Sequence, residues 1–227
     1  MRTNLLLLFL TLNAVIGQAA PFINLGFEDA NTNRVREGFD YGPKGPAEDL
    51  LPGWKLFWRT QEVTQIGLNQ GPPDNPDRVE TLLSSPRALV GSYSLEVYPP
   101  HGPAIDPFPD QFHYSLTQRG DIPPDAKYLY FAFKDGPWIA SINGEDVALG
   151  QMGSGNILYA AGDVSKFAGQ TVDLAFRTAS PTAIPFVGTH FVLDNIFFVG
   201  VPEPRTEALG LVALILAGAG LLRKQRR

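Results

Sequence analysis

Ile139-Ala140-Ser141-Ile142-Asn143-Gly144-Glu145-Asp146-Val147-Ala148-Leu149 is the stretch that decides the fold. Two short runs with apolar residues flank Asn-Gly, the dipeptide that most readily takes the positive φ angles of a type I′ turn. The spacing predicts a hairpin with strands Ile139–Ile142 and Asp146–Leu149. The same grammar extends outward in both directions. Upstream it predicts strands at Phe22–Phe27, Leu56–Arg59, Thr64–Leu68, Ser92–Tyr98, Gln111–Gln118 and Tyr128–Lys134. Downstream it predicts Val172–Arg177 and His190–Val199. Helical periodicity is almost absent between Ala20 and Gly200, apart from a turn near Val164–Phe167. Two proline-rich stretches, Gly71–Pro76 and Pro99–Pro109, cannot be central strands and read as surface loops. The body is predicted to be a single all-β domain.

Composition narrows the class. A body of this length can bury a substantial core without staples, and the 227-residue chain has no cysteine to form one. The formal net charge is −5, and it includes a basic cluster at Arg223, Lys224, Arg226 and Arg227, so the body alone is more acidic. A nucleic-acid partner is therefore not expected, because phosphate binding needs a basic stripe. The 23 glycines and 20 prolines are spread along the chain, as many short strands and turns require.

The two ends read differently from the body. Met1-Arg2 gives a positive start, Leu5 to Leu12 an apolar run, and Gly17-Gln18-Ala19 a small-residue cleavage site. Residues 1–19 are thus expected to be a signal peptide, with an uncleaved anchor as the alternative. At the other end Val201, Pro202, Glu203 and Pro204 form a rigid, extended, acidic motif. The apolar run Ala208 to Leu222 and the basic tail follow. That run is shorter than the ~20 residues of an untilted span, is loosened by Gly210, Gly218 and Gly220, and ends in the charges expected of a cytoplasmic stop. This order resembles the PEP-CTERM sorting signal of Gram-negative bacteria, over residues 201–227. The resemblance implies export through the inner membrane, processing by an exosortase-type membrane transpeptidase, and delivery to the cell surface or extracellular matrix. A plain C-terminal membrane anchor is the alternative.

The body, residues 20–200, carries a second resemblance. Asn24-Leu25-Gly26-Phe27-Glu28 followed by Leu51-Pro52-Gly53-Trp54 is similar to the opening of galactose-binding-like jelly-roll modules, including some carbohydrate-binding families. Gly91-Ser92-Tyr93-Ser94-Leu95-Glu96-Val97 resembles their next strand. The segment from Asp163 to Val172, and then Phe191-Val192-Leu193-Asp194-Asn195-Ile196, resemble their closing strands. The likeness implies a jelly-roll β-sandwich. It also implies a structural Ca²⁺ shared by Glu28 and Asp194, with carbonyls near Gly26 and Gly91–Tyr93 completing the six to eight oxygens the ion takes. The competing reading makes Glu28 a solvated turn residue and Asp194 a hydrogen-bonding residue at a strand end.

Ligand chemistry is expected to be aromatic. Trp54, Trp58, Trp138, Tyr93, Tyr98, Tyr114 and Phe112 could stack on sugars beside Arg59, Gln61 and Asp110, although rings in a β-sandwich usually fill the core. At most one or two of these rings are expected to be exposed, with Trp58 or Trp138 the first choice, and Trp54 is expected to be structural. Catalysis finds little support. Glu62, Glu80, Glu96, Asp106, Asp110, Glu145 and Asp146 could supply a glycosidase pair, but none lies in a recognisable motif. His101, His113 and His190 lack zinc spacing, and no nucleophile elbow, P-loop or dinucleotide fingerprint occurs. The sequence therefore leads to a non-catalytic exported protein with exopolysaccharide as a partner. The alternative is a divergent polysaccharide-active enzyme on a related sandwich.

Overall fold

The computed structural model describes residues 20–38, 42–69, 80–84, 86, 88–98, 114–136, 138–153, 155–178 and 191–200. Among them the chain forms strands β1 (Arg36–Gly38), β2 (Gly42–Pro46), β3 (Lys55–Trp58), β4 (Gln61–Glu62), β5 (Gln65–Leu68), β6 (Glu80–Ser84), β7 (Ser94–Tyr98) and β8 (Tyr114–Asp121). Then follow β9 (Ala126–Lys134), β10 (Trp138–Ile142), β11 (Glu145–Asp146), β12 (Leu149–Met152), β13 (Leu158–Asp163), β14 (Thr171–Thr178) and β15 (Phe191–Gly200). Helix is confined to one α turn, Ala47–Leu50, and 3-10 turns at Thr32–Arg34 and Ser165–Phe167. The fold is all-β. No helix among these residues is long and apolar enough to cross a membrane. The expected sorting motif, the run Ala208 to Leu222, the basic tail and residues 1–19 lie outside the described residues, as do both proline-rich stretches.

The strands form two sheets. One runs β1-β2-β5-β6-β7-β15-β9-β13-β12 and the other β11-β10-β14-β8-β3-β4. Alternation decides which face of each strand is buried: in β14, Val172, Leu174, Phe176 and Thr178 are buried. Phe131 of β9 meets Phe176 of β14 edge-on at 5.1 Å between ring centroids, joining the sheets in one core. Trp54 packs against the same ring at 6.2 Å. Each such buried aromatic contributes roughly 1.5–3 kcal/mol of transfer free energy, which is the means available to a chain without disulfides.

The hairpin forms as its sequence predicts. Ile142 pairs with Glu145, and Asn143 and Gly144 have φ of 51° and 80°. The second strand differs from expectation. Glu145–Asp146 pairs with β10 in the six-stranded sheet, whereas Leu149–Met152 pairs with β13 in the other. Val147-Ala148 is thus a crossing between sheets. It is made possible by Gly162, where a Cβ would lie 2.3 Å from the Val147 side chain.

The expected strand Phe22–Phe27 is also corrected. Positive φ at Asn24 and Phe27 bends the segment out of any ladder, leaving a bridge between Pro21 and Asp121. The buried Gln118 side chain takes the place of a neighbouring strand. Its Oε1 accepts the Ile23 N–H at 2.8 Å, and its Nε2 donates to the Ile23 carbonyl at 3.0 Å. Leu51-Pro52-Gly53-Trp54 then forms a turn with the sequence signature of type II. Trp54 N–H donates to Leu51 O at 3.0 Å, and Gly53 has φ of 83°. The Trp54 indole N–H reaches Asn24 O at 3.0 Å, so this ring is structural, as expected.

Two glycines make a paired prediction. A Cβ at Gly144 would meet nothing within 4 Å, so Gly144→Ala should cost about 1–2 kcal/mol through its positive φ alone. A Cβ at Gly53 would lie 2.4 Å from Ile23 and 2.8 Å from the Gln118 amide. Gly53→Ala should therefore lose the φ term plus roughly 1–3 kcal/mol of overpacking. Urea melts in which Gly144→Ala is as damaging as Gly53→Ala would contradict this account of the N-terminal segment.

Candidate functional site

Glu28 and Asp194, 166 positions apart in the chain, converge on one loop. The convergence starts from a β-bulge in β15, where register with β9 shifts between Asp194 and Phe197 and Asn195 takes a φ of 47°. Asparagine tolerates that left-handed conformation better than most residues. Oδ1 of Asp194 accepts the Asn195 N–H at 2.6 Å, supporting the kink. The kink frees the Ile196 N–H to donate to Leu25 O at 3.1 Å, which draws the N-terminal segment carrying Glu28 alongside the last strand.

The loop between β6 and β7 is held from both sides. Oδ2 of Asp194 accepts from the Val90 N–H at 2.8 Å and the Ser94 hydroxyl at 2.7 Å, while Ser94 Oγ accepts the Leu89 N–H at 2.8 Å. Glu28 accepts the Ser92 N–H on both oxygens, at 2.8 and 3.0 Å, and the Tyr93 N–H at 3.3 Å. Gly91, with φ of 70°, makes the approach possible, because a Cβ there would lie 2.2 Å from Glu28 Oε1. Asp194 is fully buried and Glu28 exposed. Burial pushes the Asp194 carboxyl above its ordinary value, and the Glu28 charge adds to the shift. Hydrogen bonds from Ser94, Val90 and Asn195 oppose it.

For a calcium ion the fit is partial. Neither carboxylate has a cationic partner among the described residues, and each keeps one oxygen bearing a single hydrogen bond, Asp194 Oδ1 and Glu28 Oε2. The other lone pairs face N–H and O–H donors, and no third His, Cys, Asp or Glu among the described residues joins them in a metal-holding group. The pair would supply two of the oxygens and leave the remainder to carbonyls and water.

The aromatic candidates separate by burial. Trp138 is 5% exposed, donates its indole N–H to Val192 O at 3.0 Å and packs edge-on to Phe191. It is a core residue, which corrects the expectation of an exposed platform: as the first residue of β10 its side chain turns inward between the sheets. Tyr114 and Tyr98 are buried as well. Trp58 is half-buried, with Tyr114 at 4.8 Å and the Arg59 guanidinium 5.5 Å from its ring centroid. Gln61 lies across the β3–β4 hairpin from it, so Trp58, Arg59 and Gln61 share one hairpin end.

The carboxylates considered for catalysis scatter. Glu145 and Asp146 are ion-paired with Lys166 and Arg177. Glu96 is buried in β7 and accepts the Tyr98 hydroxyl at 2.7 Å. Asp106, Asp110 and the three histidines lie outside the described residues. A surface depression of about 340 Å³ lies elsewhere, lined by Phe133, Lys134, Asp135, Gln151, Asn156 and Leu158 among others, and involves none of the expected site residues.

What sequence reasoning missed is an aromatic strip on the outer face of the nine-stranded sheet. In β9 and β15, Tyr130 pairs with Phe197 and Tyr128 with Val199. The Tyr130 and Phe197 rings stack at 5.4 Å with planes 10° apart. A period-two reading does place Tyr128 and Tyr130 on one face, but only the register of β15 shows that Phe197 joins them.

Comparison with known families and with curated proteins returns no match. One similar solved structure is the enzymatically active domain of bacteriophage CBA120 tailspike protein 4, at 18% identity and a TM-score of 0.34. The alignment covers 66% of this chain, which spans about one fifth (20%) of that structure. A TM-score that low carries neither fold detail nor function.

The buried carboxylate generates a prediction with a sign. The folded-state value of Asp194 is raised, so the native state holds that proton more tightly than the unfolded chain does. Stability from this group therefore falls as pH rises from the ordinary carboxylate value toward the folded one. Asp194→Asn removes the titration but turns an amide N–H toward existing donors, so it should cost about 1–3 kcal/mol near neutral pH. Urea melts from pH 4 to 7 should show a smaller loss of stability with rising pH in the variant than in the wild type. Parallel curves would refute the assignment.

Proposed function

We propose that this chain is a non-catalytic exported protein of the cell surface or extracellular matrix. In this reading it is delivered as a jelly-roll sandwich and processed at a C-terminal sorting segment by an exosortase-type membrane transpeptidase. The observation that carries the reading is the position of the last described strand. Strand β15, paired with β7 at Phe191–Leu193 and with β9 up to its last residue, runs to Gly200, and Val201-Pro202-Glu203-Pro204 begins at the next residue. A cut in that motif would leave every described strand in the released body.

Strand order supports the jelly-roll part. From β7 onward the chain alternates between sheets: β7 in one, β8 in the other, then β9, β10–β11, β12–β13, β14 and β15 in turn, with β15 between β7 and β9. Exopolysaccharide is the proposed partner of the delivered body, with Trp58 as the stacking ring and Arg59 and Gln61 beside it. The ion pairs of Glu145 and Asp146 and the burial of Glu96 favour binding over hydrolysis, because a glycosidase needs two carboxylates facing a cleft. Calcium is proposed as the ion held by Glu28 and Asp194, where it would offset the repulsion between them.

Two experiments test this. Glu203→Ala should leave export intact but trap the protein in the inner membrane, and fractionation that finds the variant released like wild type would remove the exosortase reading. For calcium, the melting temperature should rise with free Ca²⁺, with a gain of about 2.7 kcal/mol at a hundredfold excess over the dissociation constant. A calcium-loaded protein whose melt ignores EDTA would leave the Glu28–Asp194 arrangement as a hydrogen-bonded latch without metal.

A further inference from the structure

We infer that, before processing, the aromatic strip at the end of β15 rests in the headgroup region of the bilayer that holds the C-terminal segment. The inference builds on the reading of that segment as membrane-inserting, and it starts from an unusual surface. Phe197 and Val199 are each 37% exposed, and they belong to the few large apolar side chains among the described residues that are so. In register beside them stand the half-buried Tyr128 and Tyr130. Tyr159, opposite Ala132 on β13, and Met152, opposite Tyr159 on β12, continue the same face toward the sheet edge. Met152 is 48% exposed.

The chemistry of the strip is that of an interface. Three of its rings carry phenol hydroxyls, and the Lys127 ammonium sits 5.4 Å from the Tyr128 ring centroid. Amphipathic rings of this kind concentrate where apolar chains meet hydrated headgroups. Its charge is mixed. Asp163, across from Tyr128, is held by Ser165 and feels Lys127, and the Asp125 carboxylate lies against Gly200. Attachment by this surface would therefore be apolar rather than driven by anionic lipid.

Chain length supplies the occupant. Only seven residues, Val201 to Glu207, separate Gly200 from the first residue of the apolar run at Ala208. Fully extended they reach about 25 Å. Nine Cα steps join Val199 to Ala208, so the two lie within about 32 Å of each other, and so short a tether gives the strip a high effective concentration at the bilayer. A weak apolar surface then suffices. Docking would also lay the motif along the membrane surface, where a membrane-embedded transpeptidase can reach Glu203.

Spin labelling of the full chain tests this, since the protein has no native cysteine. Val199→Cys and, on the outer face of the six-stranded sheet, Asp173→Cys each receive a nitroxide. The labelled chain is reconstituted in phosphatidylcholine vesicles and floated. The expected result is flotation of both proteins. The label at 199 should collide severalfold more with oxygen and severalfold less with a water-soluble nickel complex than the label at 173. Adding Tyr130→Ser and Phe197→Ser should abolish that difference without detaching the chain. Flotation with both labels equally open to nickel would overturn docking while leaving membrane insertion intact. Failure to float would overturn both. Shielding of position 199 that is the same without vesicles would assign the strip to a second copy or to the chain's own tail, and would overturn the bilayer.

Discussion

The structure depends on how the last strand is seated. β15 lies between β7 and β9, so the nine-stranded sheet is not closed until the final described residues are in place. Parallel or antiparallel, a strand in that position has both edges satisfied by neighbours far away in sequence, and the entropy of closing those loops must be met by burial alone. With no disulfide available, the burial is concentrated where β15 meets its neighbours. Phe191, Leu193 and Ile196 point into the core, and Phe198 stacks on Phe22 at 5.5 Å. The bulge at Asn195 turns the other edge of the strand from β7 to the N-terminal segment, where the Ile196 N–H meets Leu25 O, while pairing with β9 resumes at Phe197.

The candidate site follows from the same seat. Asp194 holds the β6–β7 loop because the bulge places its carboxylate beneath the Val90 N–H, and Ile196 draws Glu28 to the other side of the loop. The outward residues Phe197 and Val199 are set by the register that follows the bulge. One irregularity in one strand thus positions a carboxylate pair on one side and an aromatic strip on the other.

Much of the fold was legible in the sequence because its strands alternate cleanly. Tyr128–Lys134, Val172–Arg177 and the Asn143-Gly144 turn were readable from period two and turn chemistry alone. Gly42–Pro46 was not, since two prolines and two glycines hide a strand that still pairs on both sides. Leu158–Asp163 was hidden by its small residues. The Phe22–Phe27 segment misled because its apolar residues imitate a strand, while the partner that satisfies its backbone is a side chain, Gln118, 95 residues away from Ile23. At the site, resemblance named Glu28 and Asp194, and the geometry adds what each one binds. Burial of Trp138 could not be read from its own neighbourhood, because the acceptor of its indole N–H lies on β15.

The most direct measurement is native-state hydrogen exchange, comparing the full chain with a chain ending at Gly200. If β15 closes the fold and the body is complete without the tail, the amides of Leu193 and Phe198 should exchange only through global unfolding, and equally slowly in both proteins. Amides of the peripheral β1 and β2 should exchange faster. A β15 that exchanges ahead of β1 and β2, or that loses protection when residues 201–227 are removed, would contradict the account.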